Sequence, residues 1–317
     1  MLKELAPICL FTYNRLDVTK QTVKALKNNF LAVDSELYIF SDGGKNKKDK
    51  NKVNDVRAFL KTISGFKKIT ILKSSMNKGL ADSIISGVTQ IIEQHGKVIV
   101  LEDDLITSPN FLDFMNQALD FYEKSVRIQS VNGFSLEIKI NNSNGDVYFH
   151  QRTFPWGWAT WRNRWNNKNF DKLLIRNKIK EDKYILPRFR NACGDDIVNM
   201  LNSSLEGKNN SWYVRWVFNH FSNNTSAVFP VSSKVKNIGF NSDGTHCDEI
   251  NVYRSIPDLK IKREFTFTKV KNLDYKSNTE FLRFFKKSYK IWYRVNLLKN
   301  TKGRIQVKNE IVQRLIP

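Results

Sequence analysis

At 317 residues, 41% hydrophobic and 26% charged, the chain has the make-up of a folded protein with a sizeable core, which excludes a disordered or fibrous polypeptide. Its 52 Lys and Arg against 31 Asp and Glu leave a formal charge of +21, so its partners are expected to be anionic: nucleic acid, anionic lipid or phosphorylated substrates. No stretch of about 18 uncharged apolar residues offers a transmembrane helix.

The start, Met1-Leu2-Lys3-Glu4-Leu5-Ala6-Pro7, lacks the apolar centre of an export signal. Cys9, Cys193 and Cys247 show no disulfide spacing. Together they predict a cytoplasmic protein in a reducing compartment.

Pro7-Ile8-Cys9-Leu10-Phe11-Thr12 reads as a short buried strand that ends in the polar Tyr13-Asn14-Arg15. Asp17 is placed to cap a helix with Val18, Thr22, Val23 and Leu26 on one face. Glu36 to Ser41 is a second strand, closed by Asp42-Gly43-Gly44, and the lysine-rich 45–52 segment is expected to be a solvated loop. A helix to about Ser64, a strand over Lys68–Leu72 and an Asn77-Lys78-Gly79 turn follow. The turn leads into an amphipathic helix carrying Leu80, Ile84, Val88 and Ile91. Strands alternating with helices of this length predict right-handed crossover units and a parallel sheet flanked by helices, an α/β fold. Neither Gly-x-Gly-x-x-Gly nor Gly-x-x-x-x-Gly-Lys-Ser/Thr follows the first strand, which argues against a dinucleotide oxidoreductase and a phosphate-loop ATPase.

Lys97-Val98-Ile99-Val100-Leu101 then runs into Glu102-Asp103-Asp104. A continuous apolar run suits a strand buried on both faces, and it delivers the acids to the carboxyl edge of the sheet, where open α/β folds bind ligands. An acidic start to the helix after Pro109 would account for one acid. Three crowded carboxylates need a compensating cation, which points to a divalent-metal and phosphate site.

Beyond Ser130 the alternation fades. Phe154-Pro155-Trp156-Gly157-Trp158-Ala159-Thr160-Trp161 sets three tryptophans in a turn, suited either to stacking on a sugar ring or to filling a core. Gly194-Asp195-Asp196 opens a helix carrying Ile197, Met200, Leu201 and Leu205; the acid pair reads as a cap or as a catalytic pair. Gly239 to His246 is a polar loop with one of four histidines, a ready metal ligand when neutral. From Lys260 to Pro317 there are 16 Lys and Arg against 4 Asp and Glu. Within it, Phe281 to Arg294 mixes aromatics with cations. As a helix, this segment either lies in an anionic membrane interface or docks on the domain with a solvated basic face.

Several of these segments, in the same order, resemble those of GT-A glycosyltransferases, nearest to the N-acetylglucosaminyltransferase I type. Leu101-Glu102-Asp103-Asp104-Leu105-Ile106-Thr107-Ser108-Pro109-Asn110-Phe111-Leu112 resembles the metal-binding acidic segment and the helix start after it. Phe11 to Arg15 resembles the first-strand end that meets the nucleotide, and Phe154-Pro155-Trp156-Gly157-Trp158 the loop near the sugars. Gly194-Asp195-Asp196 resembles the acidic pair that supplies the base, and Gly244-Thr245-His246 the late Gly-x-x-His. The resemblance spans residues 7 to about 247 and has no counterpart for the basic tail.

It implies a GT-A domain over residues 1–255, with a nucleotide-sugar half (1–130) and an acceptor half (131–255), followed by a basic extension (256–317). It further implies inverting transfer of a sugar from a nucleotide sugar, UDP-linked by preference, with Mn2+ or Mg2+ as cofactor. Asp104 and His246 would bind the metal, while Glu102 and Asp103 would hold ribose or metal-bound water. Thr12, Asn14, Arg15, Asp42, Asn77 and Gly79 would meet the nucleotide. Asp196, with Asp195 as rival, would be the base, and Trp156, Gly157 and Trp158 would shape the sugar pocket. The missing N-terminal anchor of the Golgi members suits a bacterial enzyme of surface-polysaccharide synthesis, with a lipid-linked saccharide acceptor, held on the inner face of the cell membrane. The alternatives are a metal-dependent nucleotidyltransferase or phosphohydrolase, which leaves the tryptophan loop unexplained, and a basic nucleic-acid-binding protein. The latter is disfavoured because the aromatic–basic mixture lies outside the sheet.

Overall fold

The apolar runs and amphipathic segments of the first half fold as alternating strands and helices. The computed structural model describes residues 4–140, 145–240, 250–258 and 262–315. The first half is β1 (Ile8–Thr12), α1 (Leu16–Lys27), β2 (Glu36–Ser41), α2 (Lys47–Leu60), β3 (Lys68–Lys73), α3 (Leu80–His95) and β4 (Lys97–Glu102). β5 (Leu105–Thr107), α4 (Phe111–Tyr122), β6 (Ile128–Asn132), β7 (Val147–His150) and β8 (Trp158–Trp161) follow. Then come α5 (Lys172–Glu181), α6 (Ile185–Cys193), α7 (Ile197–Leu205), α8 (Trp212–Ser222), β9 (Ser226–Pro230) and β10 (Val235–Asn237). The tail carries α9 (Tyr275–Arg283), α10 (Lys287–Leu297) and α11 (Thr301–Leu315).

Eight strands form one sheet in the order β3-β2-β1-β4-β8-β6-β9-β7, and β10 pairs with β5 in a small second sheet. Four of the seven pairings in the large sheet are parallel, including all three among β3, β2, β1 and β4. This is the expected α/β architecture: a mostly parallel sheet flanked by helices, with a helical C-terminal extension.

Side chains alternate across β1 and β4. Ile8, Leu10, Ile99 and Leu101 join the core under α1 and α4, whereas Cys9, Phe11, Val98 and Val100 join the core under α3 and α8. A strand covered on both faces must be apolar at every position, which is why these two read as unbroken runs. The helices α5 to α8 enclose a third cluster around Phe189, Leu201 and Phe218.

Three local expectations change. The lysine-rich segment is helical from Lys47, because the Asn46 side chain accepts the Asp49 N–H and caps it. Helix α1 begins at Leu16, so Asp17 sits inside its first turn and makes no side-chain cap. The tryptophan turn extends into β8, an antiparallel strand between β4 and β6 with all four residues buried. The period of two sends Trp158 to one face of the sheet and Trp161 to the other.

The tail packs on the main core. Phe281 stacks on His150 with ring centroids 3.7 Å apart and meets Phe229 edge-on, and Phe281, Phe284 and Phe285 are almost wholly buried.

Candidate active site

The strand order reverses between β1 and β4: β2 and β3 lie on one side of β1 and the chain returns to its other side for β4. Loops leaving the carboxyl ends of two such neighbours diverge and open a crevice, the usual ligand site of an open α/β sheet. Tyr13-Asn14-Arg15 leaves β1 at that point, and Asp103-Asp104 leaves β4.

The two loops are tied together. The Arg15 guanidinium ion-pairs with Asp103 and lies 2.9 Å from Asp104 Oδ2, and the Tyr13 N–H donates to Asp103 Oδ2 at 3.3 Å. From α1, the Thr22 hydroxyl donates to the Asp103 carbonyl at 2.8 Å and accepts the Leu105 N–H at 3.1 Å, which fixes the turn. Asp103 is 4% exposed and Asp104 7%. Burial, then the adjacent Asp104 and Asp103 charges, push the Glu102 carboxyl up to about 8. Burial likewise raises Asp103, to about 6, against the pull of Arg15. Burial works against the Arg15 charge, but the two aspartates outweigh it and hold Arg15 above its ordinary value.

Asp104 lies beneath the end of the second sheet. The Ile238 N–H donates to its carbonyl at 2.9 Å. A Cβ on Gly239 would sit 2.1 Å from Asp104 Oδ2, so only glycine lets the backbone approach this carboxylate as closely as it does. Asp104 Oδ1 is buried and has no hydrogen-bond partner among the described residues. His246 lies outside the described residues. Among those described, no three His, Cys, Asp or Glu side chains converge as a cation cage. The donor set is a hard anionic oxygen left open beside further carboxylates. It suits a Mg2+- or Mn2+-type ion, which takes one or two protein carboxylates and completes its shell with water and ligand phosphates.

The other nucleotide-side candidates divide. Asp42, Asn77 and Gly79 come together beside the end of β1. Asp42 Oδ1 accepts the N–H groups of Gly43 and Lys78, both at 2.9 Å, and Oδ2 accepts Asn77 Nδ2 and the Gly79 N–H, both at 3.0 Å. With four bonds accepted, that carboxylate builds the rim, holding the turn in which Gly79 has φ of +78°. Asn14 donates to Asp49 Oδ1 at 3.0 Å, and Thr12 is buried with its hydroxyl 3.4 Å from the Phe40 carbonyl.

Of the two base candidates, Asp196 stands at the start of α7 without capping it. Its Oδ1 accepts Arg152 Nη1 at 2.6 Å and its Oδ2 accepts Lys290 Nζ at 3.2 Å. Burial pushes the Asp196 carboxyl up, but Arg152 and then Lys290 outweigh that and hold it below the ordinary carboxylate range. Asp195 is exposed, with no side-chain partner among the described residues. Sequence reasoning missed Arg152. It is buried, its guanidinium lies 3.5 Å from the Phe285 ring centre, and it also donates to the Cys193 carbonyl; a lone Arg in Gln151-Arg152-Thr153 carries no pattern that marks it.

The three aromatic-loop candidates also separate. Trp158 is 1% exposed, stacked with Trp165 and Trp212 inside the core, and its indole N–H has no partner among the described residues. Gly157 takes φ of +66°, where a Cβ would press on Val235. Trp156 is half-buried and meets Phe134, Phe240 and Tyr253 edge-on. Aromatic contacts run from Phe240, next to Gly239, through Trp156 and Phe154 to Phe285 and Arg152. That path links the acid trio to Asp196.

No family profile and no curated protein matches the chain. Solved structures it is similar to include a mannosyltransferase from Pyrobaculum calidifontis in complex with GDP-Man and Mn2+, with 10% identity over 50% of this chain and 45% of that one and a TM-score of 0.34. TarS of S. aureus, residues 1–349 in complex with UDP, is 12% identical over 44% of this chain and 37% of that one, at TM-score 0.31. A UDP-glucose pyrophosphorylase complexed with UDP-glucose is 12% identical over 74% of this chain and 92% of that one, at TM-score 0.35. The chain spans less than half the length of the first two.

Proposed function

We propose that the protein is a glycosyltransferase of the GT-A type that moves a sugar from a nucleotide sugar to a saccharide hydroxyl with inversion at the anomeric carbon. The observation that carries this reading is Asp104 Oδ1, a buried carboxylate oxygen left open at the switch point of a nucleotide-type sheet, beside Asp103 and under the Gly239 turn. A divalent ion bound there supplies stabilisation of the charge that builds on the departing diphosphate.

The chain's own groups have the remaining tasks. Asp104, with His246, holds the ion, and Glu102 and Asp103 hold the ribose or ordered water. Arg15 neutralises the acids until the donor arrives and then faces its phosphates. Asp42, Asn77 and Gly79 form the rim against which the base rests. Trp156 presents a ring to the sugar, while Trp158 supports the loop from beneath. In the transfer, the acceptor oxygen forms a bond to the anomeric carbon, the bond from that carbon to the diphosphate breaks, and the acceptor proton passes to a carboxylate. Arg152 and Lys290 make Asp196 a weak base. Asp195 is exposed and has no side-chain partner among the described residues, which leaves it open to an acceptor hydroxyl as the base, with Asp196 held in place beside it. The motif resemblance favours a UDP-linked donor; the lipid-linked acceptor is a separate reading that the resemblance does not supply.

A thermal-shift screen of nucleotide sugars with and without Mn2+ tests the reading. The expected result is metal-dependent stabilisation by one donor, absent in Asp104→Ala, with nucleoside diphosphate as the released product. Release of nucleoside monophosphate or inorganic phosphate would instead make the protein a nucleotidyltransferase or phosphohydrolase. Stabilisation by no nucleotide sugar would sink the sugar-transfer reading.

A further inference from the structure

Helix α10 has two faces. Tyr289, Lys290, Tyr293 and Arg294 turn toward the protein. Ile291, Trp292, Val295 and Leu298, spaced i, i+1, i+4 and i+7, form an apolar stripe that is 63%, 55%, 55% and 45% exposed. Helix α11 adds a sparser set of exposed apolar residues, Ile305, Ile311 and Val312, at 56%, 51% and 42%. From Lys286 to Pro317 there are nine Lys and Arg and one carboxylate, Glu310, and that one is paired with Arg294. Lys286, Lys287, Lys299, Lys302, Arg304 and Lys308 are exposed around the apolar residues.

We propose that α10 and α11 lie on an anionic lipid bilayer, with Trp292 and its apolar neighbours in the interface and the lysines and arginine on the headgroups. The chemistry selects this occupant. An exposed apolar stripe rimmed by cations matches a surface that is apolar below and negative above. A second copy of a chain carrying +21 would bring like charge against like. No described helix is long and apolar enough to cross a membrane, so the stripe lies along the interface rather than through it. Because α10 also delivers Lys290 to Asp196, the bilayer would hold the acceptor half beside a lipid-linked substrate; this last point rests on the proposed transfer reaction.

The full chain is sedimented with vesicles of phosphatidylcholine alone and of phosphatidylcholine with phosphatidylglycerol. The expected result is partition into the anionic vesicles at least about 10-fold above the neutral ones, weakened by salt. The triple change Ile291→Ser, Trp292→Ser and Val295→Ser is expected to lower that partition about 10-fold with the melting temperature unchanged. Wild-type protein left in the supernatant, or a variant that partitions like wild type, overturns the proposal. Two other outcomes do so as well: loss of a dimer in the variant with no change at vesicles assigns the stripe to a second copy, and equal binding of duplex DNA by both proteins without vesicle partition assigns the charge to nucleic acid. Vesicle binding that persists while no donor stabilises the protein leaves the bilayer surface standing and removes the transfer reading instead.

Discussion

Lys290 on α10 reaches Asp196 at 3.2 Å across 94 residues of sequence, and Arg152 holds the same carboxylate from the other side at 2.6 Å. The two cations differ in burial: the Arg152 side chain is 2% exposed and that of Lys290 29%. Asp196→Ala, which leaves the buried guanidinium without its counter-charge, is expected to cost about 3–5 kcal/mol. Lys290→Met removes a partly solvated partner and is expected to cost no more than about 1 kcal/mol. Urea denaturation of both variants checks the asymmetry; equal losses would refute it.

Asp104→Ala is expected to fold at least as well as wild type, because it removes one of three crowded carboxylates, while turnover falls by about 10²- to 10³-fold. Gly239→Ala provides a subtler test. The added methyl group meets Asp104 Oδ2 and displaces it, so Mn2+ affinity should drop about 10- to 100-fold with the carboxylate still present. Titration of Mn2+ by calorimetry separates the two effects.

Trp158 and Trp156 should behave as different kinds of residue. Trp158→Ala opens a cavity among Trp165, Trp212 and Trp216 and is expected to destabilise by about 3–5 kcal/mol. Trp156→Ala should leave the melting temperature close to wild type and raise KM for one of the sugars. A large change in melting temperature for Trp156→Ala would place it with the core instead.

His150 and His220 are both buried, and burial pushes each ring down to about 3, with the Arg152 charge assisting at His150. The unfolded chain therefore takes up more protons than the folded one between about 3 and the ordinary value of about 6.5. The stability that neutral rings confer is complete above about 6.5 and is lost as the pH falls through that window, by up to about 1.4 kcal/mol per pH unit per histidine. His220→Asn should flatten the acid side of a plot of unfolding free energy against pH. An unchanged slope would mean that the ring is already solvated.

The first half of the fold was legible because each of its signals is local. Val98 to Leu101 is apolar at every position since both faces of β4 are covered, and the three acids that follow reveal the strand end by themselves. Asp42, Asn77 and Gly79 stood out singly as nucleotide-side candidates, but not their arrangement: that the Asp42 carboxylate is consumed by three N–H groups and an amide depends on a turn 35 residues away. Trp158 read as sugar-facing because aromatic residues have the same composition in a pocket and in a core; only the antiparallel pairing of β8 decides which face it takes. Arg152 and Lys290 left no trace in the sequence because their partner is brought to them by tertiary packing.

The stacking of Phe281 on His150 and of Phe285 on Arg152 also sets an order of events during synthesis. Tyr148, Phe154 and Phe229, all in contact with Phe281, belong to the sheet half of the core and are translated well before it. While the ribosome is still making residues 231–280, the nascent chain exposes that aromatic groove and the uncapped guanidinium at its rim, a stage at which chaperones and aggregation compete for it. Closure of the aromatic core and of the Arg152 pocket therefore waits for the emergence of residues 281–290, and a prematurely terminated chain is expected to expose an open, sticky groove.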